Sequence, residues 1–201
     1  MSQRPLAEVL RELEPILVSQ SFKYGEFTLS SGARSRYFFD SKLTMLSPEG
    51  ARLVGEALYS VLLKCDVEAA GGLAMGAAYM ASLIAQASVN GPTPIYGYTV
   101  RRDKKDHGRG QKIDESWHPD GEPLIRPGRR VALVDDVITT GGSTIEALEE
   151  VKAAGCDVRA VVAIVDRGAG GAERFEGLGV PFYSLFVADE DGKLGPGRLP
   201  S

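Results

Sequence analysis

The sequence predicts an α/β protein in which helices flank a mostly parallel sheet. Two near-continuous runs of Val, Ala, Leu and Ile, at 131–134 and 158–165, are typical of strands that are buried on both faces. Strand patterns also alternate with helix patterns from residue 67 onward, as in sheets that helices cover. The length of 201 residues favours one domain, 1–201, that is large enough to bury a substantial core.

The N-terminal part has a different pattern and is expected to form a small added layer. Apolar residues at helical spacing predict a helix over 5–19 that is strained or broken near Pro15. Gly, aromatic, Thr and Ser residues over 22–40 indicate short strands and turns. We call the layer formed by about residues 1–45 the hood.

A regular pattern of strands and helices follows the hood. Ser47 and Pro48 are typical of a capped helix start, and an apolar stripe over 53–62 continues that helix. Gly155 is expected to close a later helix. The core should span about 65–190, with strands at 67–71, 95–100, 130–134, 158–165 and 180–187 and helices at 76–88, 144–154 and 171–177.

The composition is that of an ordinary globular protein. Hydrophobic residues make up 43% and charged residues 25%, which excludes disordered, collagen-like and coiled-coil classes. Cys65 and Cys156 are the only cysteines, so neither a disulfide scaffold nor a zinc site is indicated. The first residues lack the apolar segment of a secretory signal, and the uncharged stretch 69–100 is rich in Ala and Gly and interrupted by proline. We therefore expect a cytoplasmic protein without a membrane span.

Charge is unevenly distributed along the chain. The formal net charge is −4, yet residues 101–112 carry six basic and two acidic side chains. This segment thus contributes +4, and the remaining chain carries −8. A basic island in an acidic protein predicts a local anion site rather than a nucleic-acid partner. The simpler alternative is a solvated charged loop.

The strongest functional signal is the segment 131–144, VALVDDVITTGGST. A buried strand is predicted to end in Asp135 and Asp136, and a loop of Thr, Gly and Ser leads into a helix. Such a loop presents backbone N–H groups to a phosphate, and the carboxylates suit a ligand that also has hydroxyls, with or without a divalent metal. The alternative is an ordinary strand–turn–helix whose acidic residues cap the helix. The lysine of a P-loop is absent.

This segment resembles the signature of the type I phosphoribosyltransferases, which bind 5-phosphoribosyl-1-pyrophosphate (PRPP). Further segments narrow the resemblance to the orotate phosphoribosyltransferases, occur in the family's order and cover most of 20–167. They are FKYGEFTLSSG at 22–32, YFFD at 37–40, GGLAMG at 71–76, RRDKKDHG at 101–108 and VDR at 165–167. The resemblance implies a type I phosphoribosyltransferase fold with an N-terminal hood. It also implies that orotate and PRPP give orotidine 5′-monophosphate and pyrophosphate, in the biosynthesis of UMP, with Mg²⁺ as cofactor.

The resemblance further implies catalytic and PRPP-binding roles for the acidic segment. Asp135 and Asp136 would hold the ribose hydroxyls, and their negative field would favour the cationic ribose ring that develops during the reaction. The 5′-phosphate would lie in the following loop, up to Thr144. Mg²⁺ would bind mainly to the pyrophosphate of PRPP rather than to protein ligands. The implied PRPP contacts here are Asp135, Asp136, Val137, Ile138, Thr139, Thr140, Gly141, Gly142 and Ser143.

The basic segment is implied to belong to a mobile lid over about 101–128. In the family this lid is shared across the interface of a homodimer and reaches the pyrophosphate. Arg101, Arg102, Lys105 and His107 would bind PRPP in this way. Either Lys105 or His107 would assist the departure of pyrophosphate as a catalytic residue, and the sequence does not choose between them.

Orotate is a planar anion with a carboxylate, and the resemblance implies that Phe38, Phe39, Thr139 and Arg167 bind it. An arginine offers a two-pronged set of donors to a carboxylate or a ring carbonyl. Because neighbours on a strand point to opposite faces, at least one of the two phenylalanines is expected to be structural. The alternative for Arg167 is a surface pair with Asp166.

Two other functions remain open at this point. A PRPP-dependent transferase for a purine base is disfavoured by the segments 37–40 and 105–108. A non-catalytic regulator that binds nucleic acid would need a basic exterior, which the charge of −8 outside 101–112 argues against. Ser30 and Met75 stand where several relatives have lysine, so the contacts of those lysines are not expected here.

Overall fold

The computed structural model of the chain describes residues 4–28, 34–102, 112–115 and 118–201. Helices and strands alternate along most of this length. In chain order they are α1 (Leu6–Ser21), β1 (Phe22–Thr28), β2 (Arg34–Phe39), α2 (Lys42–Met45), α3 (Pro48–Lys64), β3 (Ala69–Leu73), α4 (Gly76–Ser88), β4 (Tyr96–Val100), β5 (Ile113–Glu115), β6 (Arg130–Ile138), α5 (Gly142–Ala153), β7 (Asp157–Asp166), α6 (Gly171–Gly177), β8 (Phe182–Ala188) and β9 (Leu194–Pro196).

The central sheet has the strand order β5-β4-β3-β6-β7-β8-β9. The inner strands from β4 to β8 pair in parallel. The edge strands β5 and β9 run antiparallel to their neighbours. In the hood, β1 and β2 form a separate antiparallel pair. The predicted α/β class with a mostly parallel sheet is confirmed.

Helices cover both faces of the sheet, and β6 shows how. Ala132 and Val134 belong to the apolar cluster that contains residues of α1, α3 and α4. Val131 and Leu133 belong to the cluster that contains residues of α5 and α6. All four side chains are fully buried. Because side chains alternate between faces along a strand, a strand covered on both sides has a continuous apolar sequence.

In the hood, α1 continues through Pro15 without a break. Leu13 and Leu17 are fully buried, and α1 packs against α3. A proline inside a helix removes one N–H and its hydrogen bond. Packing of the apolar face stabilises the helix enough to offset that loss, since most helical stability in proteins comes from such packing. Of the two expectations for Pro15, a strained or a broken helix, the break is therefore wrong.

The predicted start of α3 is confirmed. Ser47 precedes the helix, and its hydroxyl accepts a hydrogen bond from the N–H of Gly50 at 3.2 Å. Pro48 occupies the first turn, where it has no N–H that the helix would need. With 17 residues, α3 is still shorter than a typical membrane-spanning helix of about 20 residues. Within the described ranges, none of the helices is both long and apolar enough to cross a bilayer.

The strands near the candidate site differ from the prediction in extent. β6 runs past the predicted end at 134, because Val137 and Ile138 still pair with Val165 and Asp166 of β7. The strand therefore continues beyond the acidic pair, with which we expected it to end. The sequence does not predict β5 and β9, since runs of three residues are too short to show a period.

Candidate functional site

The candidate site lies where the order of the strands reverses. Along the chain, β3 is followed by β4 on one side, whereas the next parallel strand, β6, lies on the other side of β3. Connections that leave the carboxyl ends of such strands in opposite directions create a crevice, and ligands of open α/β sheets bind there. The loop at 139–141 follows β6 at this edge, and Arg167 follows β7.

The neighbouring strand β3 needs glycine because other backbones approach it closely. A Cβ at Gly71 would lie 2.0 Å from the carbonyl oxygen of Tyr98, and a Cβ at Gly72 would lie 2.4 Å from that of Val134. Both distances are too short for any side chain. The glycines of the 71–76 segment thus bring the end of β3 against β4 and β6.

The two carboxylates at the end of β6 point to opposite faces of the sheet. Oδ2 of Asp135 accepts a hydrogen bond from the hydroxyl of Thr144, in the first turn of α5. Oδ2 of Asp136 accepts one from the hydroxyl of Ser41, at the base of the hood. A Cβ at Gly76, where α4 begins, would lie 3.2 Å from Oδ1 of Asp136. Each carboxylate is therefore positioned by a different layer of the protein.

Burial raises the pKa of Asp135 to about 7, because desolvation disfavours the charged carboxylate. The hydrogen bond from Thr144 opposes this shift, and the negative charge of Asp136 adds to it. Asp135 consequently gains a proton much more readily than an ordinary aspartate. A ligand that donates hydroxyl hydrogen bonds or brings positive charge would favour its ionised form.

The loop between β6 and α5 is fixed by contacts with α6. Gly141 has φ 73° and precedes the first turn of α5, and a Cβ there would lie 2.7 Å from Cζ of Phe175. The guanidinium of Arg174 donates to the carbonyl oxygen of Thr140 at 2.7 Å. A Cβ at Gly171 would lie 2.4 Å from a methyl carbon of Ile138. Only glycine fits at 141, on both conformational and steric grounds.

This loop leads directly into the N-terminus of α5, a helix of 12 residues. The first N–H groups of a helix have no partner within it and carry partial positive charge. Gly142 and Ser143 hold these positions, and both are partly exposed. Such groups bind phosphates in proteins, and the role of this helix start in holding the 5′-phosphate stays a prediction.

A cavity of about 710 Å³ adjoins the loop and lies between the hood, β7 and the β8–β9 turn. It brings together Thr139 and Arg167, two of the residues expected to bind the base. It is also lined by Glu26, Phe27, Thr28, Arg34, Ser35, Arg36, Tyr37, Ala169, Asp189 and Glu190.

Comparison with known proteins agrees with this geometry. A family model described as a phosphoribosyl transferase domain matches residues 69–177. The orotate phosphoribosyltransferase of Rhodopseudomonas palustris (strain TIE-1) is 43% identical over 178 residues, which cover 89% of this chain and 93% of that protein. The orotate phosphoribosyltransferase of Aquifex aeolicus (strain VF5) is 38% identical over 182 residues, 89% of this chain and 95% of its own.

The chain belongs to the orotate phosphoribosyltransferase family. Among solved structures, the orotate phosphoribosyltransferase of Mycobacterium tuberculosis H37Rv in complex with Fe(III) dicitrate superposes with a TM-score of 0.76 and 30% identity. The same enzyme in complex with PRPP gives a TM-score of 0.71 and 28% identity, and covers 89% of this chain and 96% of that one. These similarities confirm the type I phosphoribosyltransferase fold.

The pair of phenylalanines expected to bind orotate in this family is divided between two environments. Phe39 is 8% exposed and packs against Phe22, with 4.8 Å between ring centroids. Phe38 is 41% exposed and lies 5.8 Å from the ring of Phe27, which lines the cavity. The expectation that at least one of them is structural holds for Phe39, which faces the core. The role of Phe38 stays a prediction.

Of the four basic residues expected to bind PRPP from the lid, the structure describes Arg101 and Arg102. Arg101 and Arg102 are exposed, and the guanidinium of Arg101 pairs with the carboxylate of Asp114 in β5. Lys105 and His107 lie outside the described residues, so their roles in this orotate phosphoribosyltransferase family member stay predictions. His118 pairs with Asp120 at 2.7 Å in the segment that follows.

The donor groups of the site suit a metal that a phosphorylated substrate carries. Among the described residues, no three His, Cys, Asp or Glu side chains come together as a ligand set. Mg²⁺ commonly binds one or two carboxylates together with substrate phosphates and water. Asp135 and Asp136 are carboxylates of this kind, so the residues present fit an ion held mainly by PRPP.

Three residues near the site were missed by the sequence reasoning. The hydroxyls of Ser35 and Tyr37 contact the side chain of Arg167, and the hydroxyl of Ser41 contacts Asp136. Tyr37 lies in the segment 37–40 that resembles the family, and this segment could have pointed to it. Ser35 and Ser41 lie outside such segments, so the sequence did not point to them. Asp166 is buried and accepts a hydrogen bond from the N–H of Gly168, so the alternative of an Asp166–Arg167 surface pair is wrong.

Proposed function

We propose that the chain transfers the phosphoribosyl group of PRPP to orotate, giving orotidine 5′-monophosphate and pyrophosphate, in the biosynthesis of UMP. The observation that carries the proposal is the position of Thr139. This residue belongs to the loop between β6 and α5 that is predicted to bind the 5′-phosphate, and it also lines the cavity that contains Arg167. The loop proposed to hold the phosphate and the cavity proposed to hold the base would thus meet at one edge of the sheet, in a chain 43% identical to a protein named for this reaction.

In the proposed reaction, pyrophosphate leaves C1 of the ribose while positive charge develops on the sugar ring. The protein's task is then to position the substrates and to stabilise charge. The carboxylates of Asp135 and Asp136 would accept hydrogen bonds from the ribose hydroxyls, and their field would favour the cationic ring. The N-terminus of α5, with Thr140 to Ser143, would hold the 5′-phosphate and so fix the distance from phosphate to C1.

Arg167 would orient the base. Its guanidinium is a planar donor that can bind a carboxylate or a ring carbonyl through two parallel hydrogen bonds. Orotate bound in this way would present its nitrogen to C1 from the cavity side. The opposite face would be left for the departing pyrophosphate.

We propose the further elements of the family's mechanism on the same basis. Mg²⁺ bound to PRPP would neutralise part of the charge on the leaving pyrophosphate. Arg101, Arg102, Lys105 and His107 would bind pyrophosphate from a lid that is shared between the subunits of a homodimer. No nucleic-acid partner is proposed, and a cytoplasmic location accords with the place of the reaction in nucleotide synthesis.

The test is the consumption of orotate, followed by its ultraviolet absorbance, with purified full-length protein. We expect consumption only when PRPP and Mg²⁺ are both present, with release of one pyrophosphate per orotate. Absence of consumption by folded protein would remove the assignment. Adenine, guanine and hypoxanthine serve as competing acceptors, and binding to heparin at modest salt tests the regulator alternative, which predicts it.

A further inference from the structure

Arg167 is connected to both main parts of the protein. Its backbone N–H donates to the carbonyl oxygen of Ile138 at 2.9 Å, which ties it to the end of β6. Its side chain crosses to β2 of the hood, where Nε donates to the hydroxyl of Tyr37 at 2.8 Å and Nη2 donates to the hydroxyl of Ser35 at 2.8 Å. The guanidinium carbon lies 4.2 Å from the centroid of the Tyr37 ring.

The two hydroxyls are well suited to hold an arginine without neutralising it. Ser35 donates its own proton to the carbonyl oxygen of Tyr37 at 2.6 Å, so its oxygen is free to accept from Arg167. Burial raises the pKa of Tyr37, and its phenol therefore stays neutral at physiological pH. Within the described part of the chain, no carboxylate forms an ion pair with Arg167. The positive charge thus remains available to a ligand.

Tyr37 is itself held in place. It is 2% exposed, and a Cβ at Gly192, in the turn between β8 and β9, would lie 2.7 Å from its ring. The same turn is joined to β2 by an ion pair between Arg36 and Asp191 at 2.6 Å. The tyrosine therefore has little freedom to move, and neither has the guanidinium that it binds.

We propose that Tyr37 and Ser35 are positioning residues that fix the Arg167 fork for the acidic base. The inference rests on the proposed function, because it assigns Arg167 to orotate. Two acceptors occupy Nε and one hydrogen of Nη2, which leaves three terminal hydrogens for a ligand in the cavity that Arg167 lines. A guanidinium held in one orientation binds a carboxylate without first losing its freedom of rotation.

The expected consequence is selective. Replacing Tyr37 by Phe keeps the ring and removes the acceptor for Nε, and Ser35→Ala removes the acceptor for Nη2. Each change should raise the KM for orotate by roughly tenfold, the size expected for loss of one hydrogen bond to a charged group. The KM for PRPP and kcat should change by less than about twofold, since the two hydroxyls hydrogen-bond Arg167 and neither residue belongs to the phosphate loop. Uracil lacks the carboxylate, so the preference for orotate over uracil should fall by about the same factor.

Steady-state kinetics of the two variants, beside Tyr183→Phe as a matched control, test the proposal. Tyr183 is a partly buried tyrosine of β8 outside the cavity lining. A selective rise in the KM for orotate in both variants supports positioning, and so does a reduced preference for orotate over uracil. An unchanged KM for orotate overturns it. Equal losses for both substrates together with a lower Tm also overturn it, because they indicate a general structural role. If the unaltered protein consumes no orotate, the proposed function fails instead.

Discussion

The hydroxyl of Ser41 donates a hydrogen bond to Oδ2 of Asp136, although 95 residues separate them in sequence. Ser41 is fully buried at the junction of the hood and the core. The contact holds the carboxylate on the face of β6 opposite to Asp135. The hood therefore helps to build the acidic pair, in addition to closing the cavity that contains Arg167.

Ser41→Ala is expected to lower both stability and turnover. Removing the donor leaves a carboxylate oxygen without its partner, which should cost about 1–3 kcal/mol of unfolding free energy. Turnover should fall because Asp136 is no longer held. Chemical denaturation and orotate consumption check both effects. Ser82→Ala, an exposed serine of α4, is the control and should be nearly neutral; equal behaviour of the two variants would contradict the assigned role.

Asp135 should make stability depend on pH in an unusual direction. Its pKa is raised from 3.8 to about 7 in the folded protein, so the folded state binds a proton more tightly than the unfolded state. The stabilisation is complete below pH 3.8 and is lost as the pH rises through about 7. Asp135→Asn should remove this loss, on the order of a few kcal/mol. Denaturation across this pH range tests it, with exposed Asp157→Asn as the control, whose profile should follow the unaltered protein.

Asp135→Asn and Asp136→Asn should both reduce turnover while the chain stays folded. Asparagine keeps the shape of the side chain and removes the negative charge that would stabilise a cationic ribose. The unaltered protein should also gain kcat/KM for PRPP as the pH rises through the raised pKa of Asp135, because the ionised carboxylate is the active form. In Asp135→Asn, kcat/KM for PRPP should not rise over this pH range. Normal turnover in both variants would refute the roles assigned to the pair.

Gly141→Ala should weaken the phosphate loop. A side chain at φ 73° is strained by about 1–2 kcal/mol, and its Cβ would press on the ring of Phe175. We expect a lower Tm and weaker binding of PRPP, measured by calorimetry. Gly177→Ala is the matched control, because nothing lies within 4 Å of a Cβ there. That exposed helical site should tolerate alanine, or gain about 0.5–1 kcal/mol.

Lys105→Ala should slow catalysis more than it weakens orotate binding, because the lid is proposed to act on pyrophosphate. In a homodimer with shared sites, mixing this variant with an Arg167 variant should restore part of the activity, since some hybrid sites contain neither substitution. Recovery after subunit exchange is measured by the orotate assay. Loss of orotate affinity with intact turnover would show that the lid assignment is wrong.

Sequence patterns predicted the parts of the fold that repeat a period over many residues. The helix over 76–88 has the predicted bounds, and so does the short helix over 171–177, where glycine marks the start. The apolar run at 131–134 predicted a strand that is buried on both faces. The edge strands β5 and β9 carry no such period, and the continuity of α1 through Pro15 depends on packing with α3.

The sequence likewise predicted some residues of the candidate site and not others. Asp135, Asp136 and the glycine-rich loop were visible because they are contiguous and chemically distinctive. The environment of Arg167 was not, since Ser35 and Tyr37 lie 132 and 130 residues away and become its neighbours only when the hood folds onto the core. The separation of Phe38 from Phe39 follows from strand alternation, but only the structure shows which one faces inward.

The pairing of β4 with β5 has a consequence for the proposed lid. The N–H of Arg101 donates to the carbonyl oxygen of Lys112 at 2.7 Å, so the two ends of the intervening segment are tethered at one point. Four residues of chain span at most about 14 Å, so chain length alone keeps the Cα of Lys105 within a radius of about 14 Å around the Cα of Arg101. A dimer in which this lysine serves the other subunit must therefore bring the partner's pyrophosphate within that radius, extended by one lysine side chain. The position of Arg101 at the end of β4 thus restricts how two subunits can be arranged if the lid is shared between them.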